Sequence, residues 1–132
     1  MNVWIEGTYE IIEDGDLEIV LCDGLPVFFE KDGLFYPTVY LLLNAEVNSR
    51  YVTVDMGAVK HVLNGANVFA AGVVDADPEI HMGDCVFVRD EKYLKPLAVG
   101  IAEMNGNEMI SEKKGVAVRS LHHYGDRIAS YS

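Results

Sequence analysis

The sequence predicts a mainly β protein with short helices, built as two consecutive parts. Three observations carry that reading. Apolar runs of strand length are separated by the pairs Asp14-Gly15, Asp23-Gly24 and Asp32-Gly33, and Asp-Gly supplies the positive φ angles of a tight hairpin turn. Four more strand-like runs follow residue 67, with short helical spacings around them. The charge is divided unevenly. Residues 1–50 hold ten acidic side chains against Lys31 and Arg50, whereas residues 51–132 hold eleven acids and eight bases.

The first strand is expected around Tyr9-Glu10-Ile11-Ile12. Leu17-Glu18-Ile19-Val20-Leu21-Cys22 and Leu25-Pro26-Val27-Phe28-Phe29-Glu30 complete an antiparallel meander. Pro37 is placed in the first turn of a short helix, where a missing N–H costs nothing. Phe35, Val39 and Leu42-Leu43 then form its apolar stripe, and a strand over Val39–Leu43 is the alternative. The polar stretch Asn44–Arg50 marks a boundary, giving a small α+β domain over 1–49 and a second domain over 50–132.

The second part opens with a β-branched strand, Tyr51-Val52-Thr53-Val54. Asp55 can cap a following helix, in which Val59, Val62, Leu63 and Ala66 recur at helical spacing. Lys60, His61 and Asn64 fall on the other side, and Gly65 can end the helix in a left-handed conformation. Strands are then expected over Asn67–Val74, Cys85–Val88, Pro96–Glu103 and Val116–His122, with a helical turn near Glu108–Glu112. Many short strands with few helices predict a small barrel or sandwich. In Leu97-Ala98-Val99-Gly100-Ile101-Ala102 one face is large and the other small. This admits a close neighbour and a bend at Gly100. Cys85-Val86-Phe87-Val88 is apolar on both faces, as in a strand covered on both sides.

Half of the 132 residues are hydrophobic, and mean hydropathy is +0.12. That composition builds a core rather than a disordered chain. No apolar run approaches the roughly 18 residues of a membrane span. Met1-Asn2-Val3-Trp4-Ile5-Glu6 lacks the basic and apolar regions of a signal peptide, so a cytoplasmic protein without membrane contact is expected. Cys22 and Cys85 are expected as buried, reduced thiols. A net charge of −11 argues against a general duplex binder, which needs a broad basic face.

No catalytic residue, metal ligand set or cofactor is predicted. Gly83-Asp84 breaks the segment between His81 and Cys85, and the adjacent His122 and His123 point to opposite faces of a strand. Asp14/Asp16 and Asp75/Asp77 lie in turns, where turn chemistry explains them. GxxxxGK[ST] and GxSxG are both lacking.

Several separated stretches agree in order and spacing: Val54–Val73, Gly83-Asp84-Cys85-Val86-Phe87-Val88, Leu97–Met104, Gly115-Val116-Ala117-Val118 and Leu121–Asp126. Together they resemble the PUA domain, a small pseudobarrel found in RNA-modifying enzymes and translation factors, over roughly residues 51–128. The preceding Leu25-Pro26-Val27-Phe28-Phe29 and Gly33–Leu42 resemble the pre-PUA region of the malignant T-cell-amplified sequence family, whose members, with ligatin and archaeal relatives, are associated with translation initiation, reinitiation and small-subunit recycling. The resemblance implies a small α+β pre-PUA domain followed by a PUA pseudobarrel. The chain departs from the pattern at its start, where no helical stretch precedes the first strand. It departs again at Arg127-Ile128, where the family commonly has tryptophan.

In RNA-bound PUA domains the helix and the following strand form the RNA surface. By that resemblance the surface here comprises Gly57, Ala58, Lys60, His61, Asn64, Gly65, Ala66 and Asn67. The chemistry fits. A helix start offers backbone N–H groups to phosphate, and Lys60 is a point charge. Gly65 and Ala66 leave the backbone accessible, while Asn64 and Asn67 can read base or ribose edges. Arg119, Lys113 and Lys114 could add charge nearby. Tyr124 either stacks on a base or fills the core, and the core is favoured. The expected function is RNA binding without catalysis, to tRNA or small-subunit rRNA, as a translation-related factor on the ribosomal small subunit. The alternatives are an adaptor whose acidic N-terminal segment binds a protein, and an accessory subunit of an RNA-modifying enzyme.

Overall fold

The Asp-Gly turns set the first sheet. Its strands are β1 (Tyr9–Asp14), β2 (Leu17–Cys22), β3 (Leu25–Lys31) and β4 (Leu34–Pro37), antiparallel in that order. In the second and third turns both central residues have positive φ, 49° and 83° at Asp23-Gly24 and 52° and 81° at Asp32-Gly33. That backbone matches the strand twist. Alternation buries Leu17, Ile19 and Leu21 on one face, and the register carries Ile12, Ile19, Phe29 and Tyr36 across the sheet. The computed structural model describes residues 6–131. Met1–Ile5, most of the stretch read for a signal sequence, lie outside the described residues.

The helix α1 (Val39–Leu43) replaces the strand alternative, and its start corrects the placement of Pro37. Pro37 ends β4 opposite Phe28, at a sheet edge where its missing N–H breaks no ladder. Thr38 is the cap. Its Oγ1 accepts from the Leu41 N–H at 3.1 Å and donates to the Pro26 carbonyl at 2.7 Å. Capping of this kind stabilises a helix by about 1 kcal/mol. The expected apolar stripe is only half realised: Val39 and Leu42 are buried, while Phe35 and Leu43 face solvent.

The second sheet has β5 (Tyr51–Val54), β6 (Val68–Phe69), β7 (Val73–Ala76), β8 (Cys85–Asp90), β9 (Pro96–Ala102) and β10 (Val116–His123). Their order is β6-β10-β9-β8-β5-β7. Among the described residues only β5 and β8 pair in parallel. Helices α2 (Met56–Leu63) and α3 (Gly106–Ser111) interrupt the strands. The expected single strand Asn67–Val74 is instead β6, a 3₁₀ turn over Ala70–Gly72, and β7. β6 pairs with β10 and β7 with β5, so three residues join the two opposite edges of the sheet. The sheet is thereby curled into a nearly closed pseudobarrel, which protects edges that would otherwise stay open.

The barrel core gathers Val52, Val54, Val86, Val88 and Val118, with Ala98 and Ala102 from the small face of β9. That small face receives α2, whose Val62 is buried in the same cluster. A side chain at Gly100 would strike the Arg119 carbonyl of β10. Glycine is therefore required there by the closeness of the neighbouring strand.

A separate apolar cluster joins the two parts: Val39 and Leu42 of α1 pack on Phe87 and Val99 of the barrel. Burial of such side chains stabilises by roughly 1.5–3 kcal/mol each. Ile128, in the 3₁₀ segment Arg127–Tyr131, returns to the first sheet to pack with Leu17, Ile19 and Phe29. Cys22 is buried; Cys85 is half-buried, less covered than expected, and both thiols are free.

Candidate nucleic-acid interface

Asp55 starts α2 as expected, its Oδ1 accepting from the Ala58 N–H at 2.9 Å. This sets a carboxylate at the helix start, beside Gly57. A phosphate approaching that end meets a negative charge along with the positive helix end. The other end closes with paired bonds: Gly65 N–H to the Val62 carbonyl at 3.0 Å, and Ala66 N–H to the His61 carbonyl at 3.1 Å. Gly65 has φ +85°, the left-handed conformation such an ending needs. It is also short of space, because a Cβ there would lie 3.3 Å from the His123 ring.

Lys60, His61, Asn64, Gly65, Ala66 and Asn67 are all exposed. Ala58, His61, Ala66 and Asn67 line one cleft of about 350 Å3, together with Val62, Val68, Phe69 and Gly72. The methyl groups of Ala58 and Ala66 and the bare backbone of Gly72 leave it open. Lys60, Asn64 and Gly65 lie outside its lining, and Gly57 sits at the far end of α2. The Asn67 Oδ1 accepts from the Ser120 N–H at 3.0 Å, tying β6 to β10. This leaves the amide NH2 as the group of Asn67 suited to a ligand acceptor.

Phe69 was not among the residues expected from sequence, yet it is 59% exposed at this cleft. The alternation of a short strand gives the signal: Val68 points into the core and Phe69 out of it. An exposed aromatic ring beside hydrogen-bonding groups is a platform for an unstacked base. Of the other cations, Arg119 pairs with Glu103 at 3.0 Å, and Lys113 Nζ donates to the Val73 carbonyl. Tyr124 does not fill the core. It is half-exposed, its ring 5.5 Å from that of Tyr40.

A nearly closed β pseudobarrel with a helix on its small-residue strand, behind a four-stranded meander, defines a class of small β binding module. The chain belongs to the PUA-domain family: the PUA domain model matches residues 50–124, and a domain of unknown function, DUF1947, matches residues 1–45. An uncharacterized protein of Methanocaldococcus jannaschii is 47% identical over 126 residues, covering 96% of this chain and 78% of that one. Translation machinery-associated protein 20 of Saccharomyces cerevisiae is 31% identical, over 93% of this chain and 72% of that one. Malignant T-cell-amplified sequence 1-B of Xenopus laevis is 29% identical, over 83% of this chain and 63% of that one. Among solved structures, a hypothetical protein of Pyrococcus horikoshii OT3 superposes with a TM-score of 0.85 at 42% identity, over 94% of this chain and 79% of that one. A chain of the archaeal box H/ACA sRNP Nop10-Cbf5 complex superposes with a TM-score of 0.53 at 33% identity, over 55% of this chain and 23% of that one.

Proposed function

We propose that this chain is a non-catalytic RNA-binding protein of translation, holding tRNA or small-subunit rRNA on the surface formed by α2, Gly65 and β6. One observation carries the reading. Phe69, His61 and Asn67 meet at a cleft with small-residue walls, and Lys60 stands exposed on the same helix. Stacking, hydrogen bonding and a point charge are the groups that recognise unpaired nucleotides. Support comes also from the yeast relative named for the translation machinery and from the likeness to a chain of an sRNP.

The test is affinity for a tRNA transcript and for a small-subunit rRNA fragment at matched salt. Lys60→Glu should cost roughly 1–3 kcal/mol of binding, the range of charge-assisted contacts. Phe69→Ala should cost about 1–3 kcal/mol through lost stacking. Both positions are exposed, so Tm should barely move.

A protein contact through the first sheet is the second reading. It is favoured by the register, which sets Glu13, Glu18 and Glu30 directly opposite one another across three strands. Burial in the sheet, then the charges of Glu30 and Glu13, raise the Glu18 pKa. If both surface variants bind RNA like the parent while Glu18→Lys abolishes a protein contact, the second reading replaces the first.

A further inference from the structure

A larger cleft, of about 500 Å3, lies between the α1–linker segment and the β8–β9 turn. It shares no residue with the cleft beside α2. Leu42 and Leu43 line it from one side of the sequence and Phe87, Leu94 and Pro96 from the other. Arg89 and Lys95 also line it, against the single acid Glu46.

Two features set this cleft apart from an ordinary surface hollow. The first is the state of its cations. Arg89 Nε donates to Thr53 Oγ1 at 2.9 Å, and its guanidinium lies 3.9 Å over the Tyr51 ring. The group is thus held in place before any ligand arrives. Among the described residues no carboxylate pairs with Arg89 or Lys95, although acids outnumber bases by eleven. A preorganised guanidinium without an acid is suited to bidentate recognition of a carboxylate.

The second feature is the turn that carries Leu94. The Asp90 carboxylate accepts backbone N–H bonds from Lys92, Tyr93 and Lys95, which fixes the turn. Leu94 sits within it at φ +56°, a conformation that costs an L-residue about 1–2 kcal/mol. Its side chain is nevertheless 51% exposed. A leucine is uncommon in this left-handed conformation, and the fixed turn presents its half-exposed side chain at the cleft wall.

We propose that this cleft docks a short acidic segment of a partner protein. One large apolar side chain of that segment enters between Leu43 and Leu94, and a neighbouring carboxylate sits on Arg89 and Lys95. A nucleic-acid backbone would satisfy the cations but leave the exposed Leu43 and Leu94 unmatched. An acidic segment with an apolar anchor uses both.

Random dodecapeptides displayed on phage, panned on the full chain, test this directly. The recovered sequences should place Asp or Glu next to Leu, Phe or Trp. A synthetic peptide of recovered sequence should bind about tenfold more weakly to Lys95→Glu. Leu94→Gly removes the anchor contact while suiting the positive φ. It should therefore weaken the peptide while leaving Tm equal or higher. Absence of an acidic and apolar consensus, or peptide affinity unchanged in both variants, overturns the proposal. So does loss of RNA affinity in Lys95→Glu, which assigns the cleft to RNA.

Discussion

His122 shows how much one side chain can hold. It is fully enclosed, and the Val39 N–H of α1 donates to its Nε2 at 3.0 Å. A ring nitrogen that accepts carries no proton, so the proton is on Nδ1, which donates to Asp126 Oδ2 at 2.8 Å. Burial alone would raise the Asp126 pKa. Hydrogen bonds from His122 and from the His123 and Ile128 N–H groups more than offset this, holding the carboxyl below the usual range. The folded-state pKa is therefore below the unfolded one. The stabilisation is present above the unfolded value near pH ~4 and is lost as pH falls through the folded value. Asp126→Asn should accordingly be less stable than the parent at neutral pH, and the gap measured by thermal melting should close in acid. His122→Ala leaves the Val39 donor buried without its partner and opens a cavity. It should cost roughly 2–4 kcal/mol by urea unfolding. That His122 and His123 face opposite sides follows from strand alternation. The partner of His122 lies 83 residues away, and no local pattern carries that. The thiols are simpler. Burial pushes Cys85 up to about 11 and Cys22 is enclosed, so native labelling near pH ~8 should be slow and reach both thiols only on denaturation.

At the scale of elements, the sequence succeeds where the signal is local. Each Asp-Gly turn, the Asp55 cap and the Gly65 ending depend on residues within one turn of chain. The segment after Gly65 reads as one strand because Val68, Phe69, Val73 and Val74 all favour β structure. Its break at Ala70–Gly72 is set by which neighbours the two halves meet, β10 for one and β5 for the other. Closure of the barrel is thus a long-range property that periodicity does not encode. Phe69 went unread as a site residue for the same reason, since the cleft beside it exists only once β6 lies next to α2. The Gly65 ending makes its own prediction. Gly65→Ala meets both a left-handed backbone and the His123 ring, so it should destabilise by about 1–2 kcal/mol in urea. Because the helix exit carries the candidate surface, RNA affinity should fall with it, whereas Lys60→Glu should lower affinity alone.

On the scale of the whole molecule the question is how a chain of net charge −11 binds a polyanion. The acids crowd the first sheet, and α1, His122 and Ile128 lock that sheet against the barrel, so its negative field is fixed relative to the proposed RNA surface. At physiological salt that field is screened over about 8 Å. The charge asymmetry was readable from the sequence, but the locking was not. Among the described residues, Lys60 and Lys114 are exposed with no ion pair, while Arg119 is paired with Glu103 and Lys113 is tied to a carbonyl. Such a surface neutralises only about two to four phosphates, and single strands release roughly 0.7 counterions per phosphate. The slope of log affinity against log salt should then be roughly −1.5 to −3, shallow beside a basic duplex binder. On the proposed surface, most of the affinity is then expected from stacking on Phe69 and hydrogen bonds near Asn64 and Asn67, which salt hardly touches. Lys60→Glu should flatten the slope by about 0.7 as well as lower affinity, and Phe69→Ala should lower affinity without changing the slope. Titrations of each variant across a salt series separate the two contributions. A parent slope steeper than about −5 would require a broad basic face, which the arrangement of charges does not provide, and the α2 surface could not then be the principal RNA contact.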